Sequence, residues 1–158
     1  MKQIFGYCVL ALMAALVLLS GAGAAENAPA EQFVVYYPHN TFRCYSCNMI
    51  ETLTKAAIEG GKLQGEGGKE IAVDNSSVAD LLKSQKLVFR SVNVDEPEYA
   101  TLLTELKTKA KMPTLAKVVS GKIVATQPLD RSWKLLSQPE DFCKYVQEET
   151  TKFVKNNK

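Results

Sequence analysis

One histidine, one tryptophan and almost no excess of charge are what this 158-residue chain has to work with. Nineteen Lys and Arg stand against 17 Asp and Glu, a net charge of +2. That balance excludes a nucleic-acid binder whose affinity comes from neutralising phosphates. Nine glycines and six prolines are too few for a collagenous or linker-like chain. The apolar and charged fractions, 46% and 23%, exclude a disordered one. The length suits a single domain. No glycine stands five positions before Gly68, so the glycine-rich stretch 60–68 is not a phosphate loop and reads as a flexible surface loop.

Only one long stretch lacks charge, Ile4 to Ser20. It follows the basic start Met1-Lys2-Gln3 and precedes Ala22-Gly23-Ala24, an Ala-x-Ala cleavage pattern. This order is that of a secretory signal peptide over residues 1–24. A disordered linker over 25–31 and one domain over 32–157 follow from it. The expected localisation is periplasmic or secreted, with membrane attachment only if the segment is not cleaved. In such an oxidising compartment cysteine pairs persist as disulfides. Cys8 leaves with the signal peptide, so the four cysteines do not make two bridges.

Phe33-Val34-Val35-Tyr36-Tyr37 reads as a buried strand, closed by Pro38-His39-Asn40-Thr41. A helix opens near Cys44, carries Met49, Ile50, Leu53 and Ala57 at helical spacing, and stops at Gly60-Gly61. Asn75 or Ser76 is a candidate cap for a short helix with Val78, Leu81 and Leu82. Leu87–Val94 is a second strand. Asp95 is expected to cap a helix faced by Tyr99, Leu102, Leu103, Leu106 and Ala110. Thr114–Val119 and Ile123–Thr126 form a hairpin around Ser120-Gly121-Lys122. A helical turn over Ser132–Leu136 precedes a last helix, with Ser137-Gln138-Pro139-Glu140 as its capping box. Alternation of this kind predicts an α/β fold, a mixed sheet of about four strands flanked by helices.

The chemistry centres on Cys44-Tyr45-Ser46-Cys47. Cysteines three apart at a helix start share a face within disulfide reach. The positive helix end favours a thiolate on Cys44, and Arg43 adds a cation beside it. Cys44 is then the nucleophile, and Cys47 resolves the mixed disulfide. Two alternatives stay open: an inert structural disulfide and a metal site. A closed zinc site would have only Cys143 and His39 to complete it, whereas two-coordinate Cu(I) needs no further ligand. Thiol–disulfide exchange itself requires no cofactor, and its partners are protein thiols and disulfides. His39 reads either as a tuning group for the thiolate or as a satisfied strand-end side chain. Cys143 reads as a half-buried inert thiol, and Trp133 as core.

Strand, CxxC at a helix start, strand, helix, then Met112-Pro113-Thr114-Leu115 before a hairpin resembles the thioredoxin-like arrangement. The resemblance implies that Pro113 is cis and faces the dithiol, and that Met112 offers its backbone to a bound peptide. Against that arrangement the chain carries an insertion between the first helix and the second strand, mostly its glycine-rich stretch. The segment Tyr36-Tyr37-Pro38-His39-Asn40-Thr41-Phe42-Arg43-Cys44-Tyr45-Ser46-Cys47 is similar to the opening of small secreted proteins of the nitrophenyl compound nitroreductase subunit ArsF family. Asn93–Glu98 and the Trp133 segment match as well. That resemblance implies a nitroreductase accessory subunit or an arsenic-linked context, in which the dithiol would bind a thiophilic ion such as arsenite. The chain departs from ordinary thioredoxins in its Tyr45-Ser46 dipeptide, in Arg43 where tryptophan is usual, and in having no acidic residue within the apolar first strand. Redox direction and partner are left open by these differences.

Overall fold

The computed structural model describes residues 31–65 and 68–158. The signal peptide, Cys8 and nearly all of the linker lie outside the described residues.

Strand β1, Glu31–His39, begins one residue before the expected domain boundary, with Glu31 paired to Val119 in the neighbouring strand. It has no polar face because both of its faces are covered. Phe33, Val35 and Tyr37 enter one core, and Val34 and Tyr36 enter another. A continuous apolar run, rather than an alternating one, marks such a central strand. On one side it pairs in parallel with β4 (Leu87–Asn93), Val35 opposite Phe89. On the other it pairs antiparallel with β5 (Thr114–Val119), Val35 opposite Leu115. β6 (Lys122–Pro128) closes the sheet antiparallel to β5, in the order β4-β1-β5-β6. The hairpin turns at Ser120 and Gly121, both with positive φ, as a two-residue connection between twisted strands requires. The protein is therefore mixed α/β with a four-stranded mixed sheet.

The larger core holds the buried stripe of α1 (Tyr45–Glu59), namely Ile50, Leu53 and Ala57, against Phe142, Val146 and Phe153 of α4 (Pro139–Asn156). The opposite face is covered by Leu102 and Leu106, packed on Val34, Val92 and Ala116. Each fully buried Leu or Phe contributes about 1.5–3 kcal/mol of transfer free energy, so the two apolar layers hold the sheet between them.

Where α1 ends, Gly60 takes φ 77° and its N–H returns to the Ala56 carbonyl. Its neighbours are captured by side chains: Gln147 donates to the Ala57 carbonyl and Asn75 to that of Ile58. Asn75 therefore finishes α1 and does not start the next helix. That helix, α2 (Ala79–Lys83), has Val78 at its N-cap and no side-chain cap, while Ser76 bonds Asp74.

Three expectations need correction. The stretch after Gly60 is not simply a loop. β2 (Gly61–Gln64) and β3 (Glu70–Val73) form a hairpin with Leu63 opposite Ile71, and Leu63 is buried. Its few apolar residues are too short a pattern to stand out among five glycines. The single helix expected after Asp95 is broken. A 3-10 turn (Pro97–Tyr99) leads into α3 (Leu102–Glu105), and Lys107 at φ 51° ends it. β-Branched Thr101, Thr104 and Thr108 weaken helix propensity there. Finally, α4 carries no capping box: Gln138 is its N-cap without a side-chain bond, Pro139 fills the first position, and Glu140 and Asp141 meet the positive helix end.

Candidate active site at the start of the first helix

The loop between β1 and α1 is tied to the end of β4. The Asp95 carboxylate accepts from the Asn40 side-chain amide and the Thr41 backbone N–H, both at 2.8 Å. Asn93 donates to the Thr41 hydroxyl at 3.1 Å. These donors, first the Thr41 amide and then Asn40, lower the Asp95 pKa. The sequence reading gave Asp95 a different task, capping the following helix. The structure spends it on the loop that delivers Cys44.

Cys44 is the N-cap of α1, with extended backbone angles, and its Sγ accepts from the Cys47 N–H at 3.2 Å. It is joined to Cys47 as a disulfide, Cα atoms 5.0 Å apart. Cys44 is half-buried, whereas Cys47 is 1% exposed. No acidic residue lies in the first turn of α1, so nothing there offsets the positive helix end near Cys44. An outer and an inner sulfur follow directly from the N-cap position.

Beneath the dithiol lies Tyr37, fully buried, its hydroxyl donating to the Cys47 carbonyl at 2.7 Å. Burial raises the Tyr37 pKa and keeps the phenol neutral. The Arg43 guanidinium packs over the Tyr37 ring, 5.9 Å from its centroid, and ion-pairs with Glu51. Arg43 was expected to act directly beside Cys44. In the oxidised protein it is committed to Tyr37 and Glu51. Both of those residues were missed by the sequence reading, although Glu51 stands four residues after Cys47, on the same helix face.

His39 sits half-buried with Nδ1 3.0 Å from the Asn40 carbonyl, consistent with a satisfied strand-end residue. Met112 and Pro113 come to the same end of the sheet, because the Lys111 N–H donates to the Pro38 carbonyl at 2.6 Å. Pro113 is buried. The expected cis bond is absent: among the described residues every peptide bond is trans, and Lys111 at φ 67° makes the reversal that leads into β5. The Met112 carbonyl accepts from the Thr114 hydroxyl at 3.1 Å.

Trp133 is not core. It is 40% exposed, with its indole N–H donating to the Lys111 carbonyl at 3.0 Å. Phe42 and Tyr45, on either side of Arg43-Cys44, are 80% and 78% exposed. Cys143 is buried more fully than its helical position implied. Its Sγ faces the Leu53 carbonyl at 3.7 Å, and burial pushes its thiol up to about 11. A shallow cavity of about 190 Å³ between β3 and α4 reaches Cys143 but not the dithiol. Among the described residues no three His, Cys, Asp or Glu side chains converge on a metal-sized site, so His39 and Cys143 do not complete a zinc set. Compared with family models, with curated proteins and with solved structures, the chain matches none.

Proposed function

We propose that this protein is an exported, thioredoxin-like thiol–disulfide exchange protein, with Cys44 as attacking sulfur and Cys47 as resolving sulfur. The observation that carries the reading is the asymmetry of the pair. Cys44 caps a 15-residue helix and stays half-buried, while Cys47 is closed off one turn deeper. The Cys44 thiolate, favoured by the helix N-terminus, attacks a partner disulfide and one partner thiolate leaves. Cys47 loses its proton and attacks the Cys44 sulfur of the mixed disulfide. The second partner thiolate leaves, and Cys44–Cys47 is restored as a disulfide. Two electrons have passed to the partner. The reverse sequence oxidises a partner dithiol.

Met112 and Pro113 at the same end of the sheet support a role in seating the partner segment. The order β4-β1-β5-β6, with the dithiol after the first strand, supports the thioredoxin-like reading of the fold. Cys47→Ala tests the whole proposal. Expressed in the source cell, this variant is expected to accumulate mixed disulfides through Cys44 that a reductant releases. Absence of any such adduct, with a Cys44–Cys47 bond that resists mild dithiol, would refute it.

A further inference from the structure

We propose that Arg43 is a counter-cation held in reserve for the reduced dithiol, restrained in the oxidised state by Glu51 and Tyr37; this deepens the thiol–disulfide reading and rests on it. Two nitrogens of the guanidinium, Nε and Nη2, are shut off from solvent. Nη2 forms the ion pair with Glu51. Nε has no hydrogen-bond acceptor among the described residues. A native structure rarely leaves a buried charged donor unpaired, because its hydration is lost without replacement. The disulfide is neutral and needs no counterion, so it offers Nε no anionic acceptor.

Reduction changes that balance. Disulfide plus a partner dithiol gives a Cys44 thiolate, a Cys47 thiol, the partner disulfide and one released proton. One negative charge appears at the residue next to Arg43 in the chain. The guanidinium is ion-paired with Glu51, which stands four residues after Cys47 on the same helix face. It has a free donor, and the thiolate supplies the acceptor. Glu51 divides the cation's field between two anions, so it limits how strongly the thiolate is stabilised. Tyr37 holds the guanidinium against the sheet and fixes the inner cysteine through its carbonyl. The other titratable groups around this cluster are His39, whose ring lies 6.1 Å from that of Tyr37, and Asp95, which fixes the loop before Arg43. Cys143 on α4 faces α1 at Leu53, and its thiol is neutral below about 11.

Thiolate ultraviolet absorbance against pH, in the chemically reduced full chain, tests the proposal. Glu51→Gln releases the cation and is expected to lower the thiolate midpoint by about one pH unit, tenfold in proton concentration. Arg43→Met is expected to raise it by about the same amount, since Glu51 then opposes the thiolate alone. Arg43→Lys keeps the charge and is expected to restore most of the difference. A Glu51→Gln midpoint within twofold in proton concentration of the parent, or shifted upward, would overturn it, as would an Arg43→Lys midpoint raised by about one pH unit. Should Arg43→Met fail to fold, those two variants still decide. The measurement needs no partner protein, so it can fail while partner capture by Cys47→Ala succeeds, and the reverse.

Discussion

Removing one oxygen atom from Tyr37 isolates the link between the sheet and the inner cysteine. In Tyr37→Phe the ring stays in its fully buried position and still underlies Arg43, but the 2.7 Å bond to the Cys47 carbonyl is lost. That carbonyl keeps its acceptance from the helix itself, so it is not left unsatisfied. The loss is then the net worth of one buried hydrogen bond, about 1–1.5 kcal/mol. For a domain of this length it lowers the melting temperature by about 4 °C. Thermal and urea unfolding of the oxidised protein, followed by circular dichroism, measures it. Backbone amides around Cys47 are expected to exchange with deuterium faster, while those of α4 are unchanged. A stability change below about 0.3 kcal/mol would mean that the hydroxyl contributes nothing net, against the ordinary range for such bonds. A loss above about 3 kcal/mol would mean that the ring itself had moved, as large core disruptions do. Either result refutes the reasoning.

Two further outcomes follow from the charges and thiols. Cys143 is expected to resist thiol reagents in the folded protein and to react once urea unfolds it. Its raised pKa means that the neutral thiol contributes stability below the ordinary value, and that this contribution is lost as pH rises through about 11; mass spectrometry after pulse alkylation across pH 8–11 checks both statements. For Asp95 the sign is opposite. Its lowered pKa makes the tether to Asn40 and Thr41 present above the ordinary carboxylate value and lost as pH falls through the lower, folded one. Asp95→Asn is expected to speed amide exchange at Thr41 at neutral pH; unchanged exchange would show that the loop does not depend on the carboxylate.

The legible parts of this fold were those with long or self-contained patterns. β1 announced itself as a five-residue apolar run, α1 and α4 as stripes at helical spacing, and the β5–β6 hairpin by its Ser-Gly turn. The adjacency of Cys44 and Cys47 was legible for the same reason, since spacing three at a helix start leaves little geometric choice. What escaped were partners distant in sequence. Asn75 looked like a cap for the residues after it, yet it bonds Ile58, 17 positions earlier. Asp95 likewise serves Thr41, 54 positions away. Local chemistry states that such side chains seek a backbone group; only the packed sheet decides which one. Trp133 was misjudged because aromatic content suggests burial, whereas an indole N–H can be satisfied at the surface by a carbonyl such as that of Lys111. The hairpin β2–β3 was hidden by its glycines.

The central place of β1 has a consequence for how the correct bridge is made. Its two neighbours in the sheet are β4 and β5, so a chain appearing from its N-terminus cannot complete the pairing of β1 until about Val119 is available, and non-local pairing of this kind is slow. Cys44 and Cys47 meanwhile emerge one helical turn apart, with Cys143 still nearly a hundred residues behind. The short loop closes at little entropic cost, whereas a bridge to Cys143 must wait for the far end of the chain. Once α4 docks, Cys143 is turned towards Leu53 and withdrawn. Chain order and burial thus act in succession, as two kinetic filters against wrong pairing with Cys143.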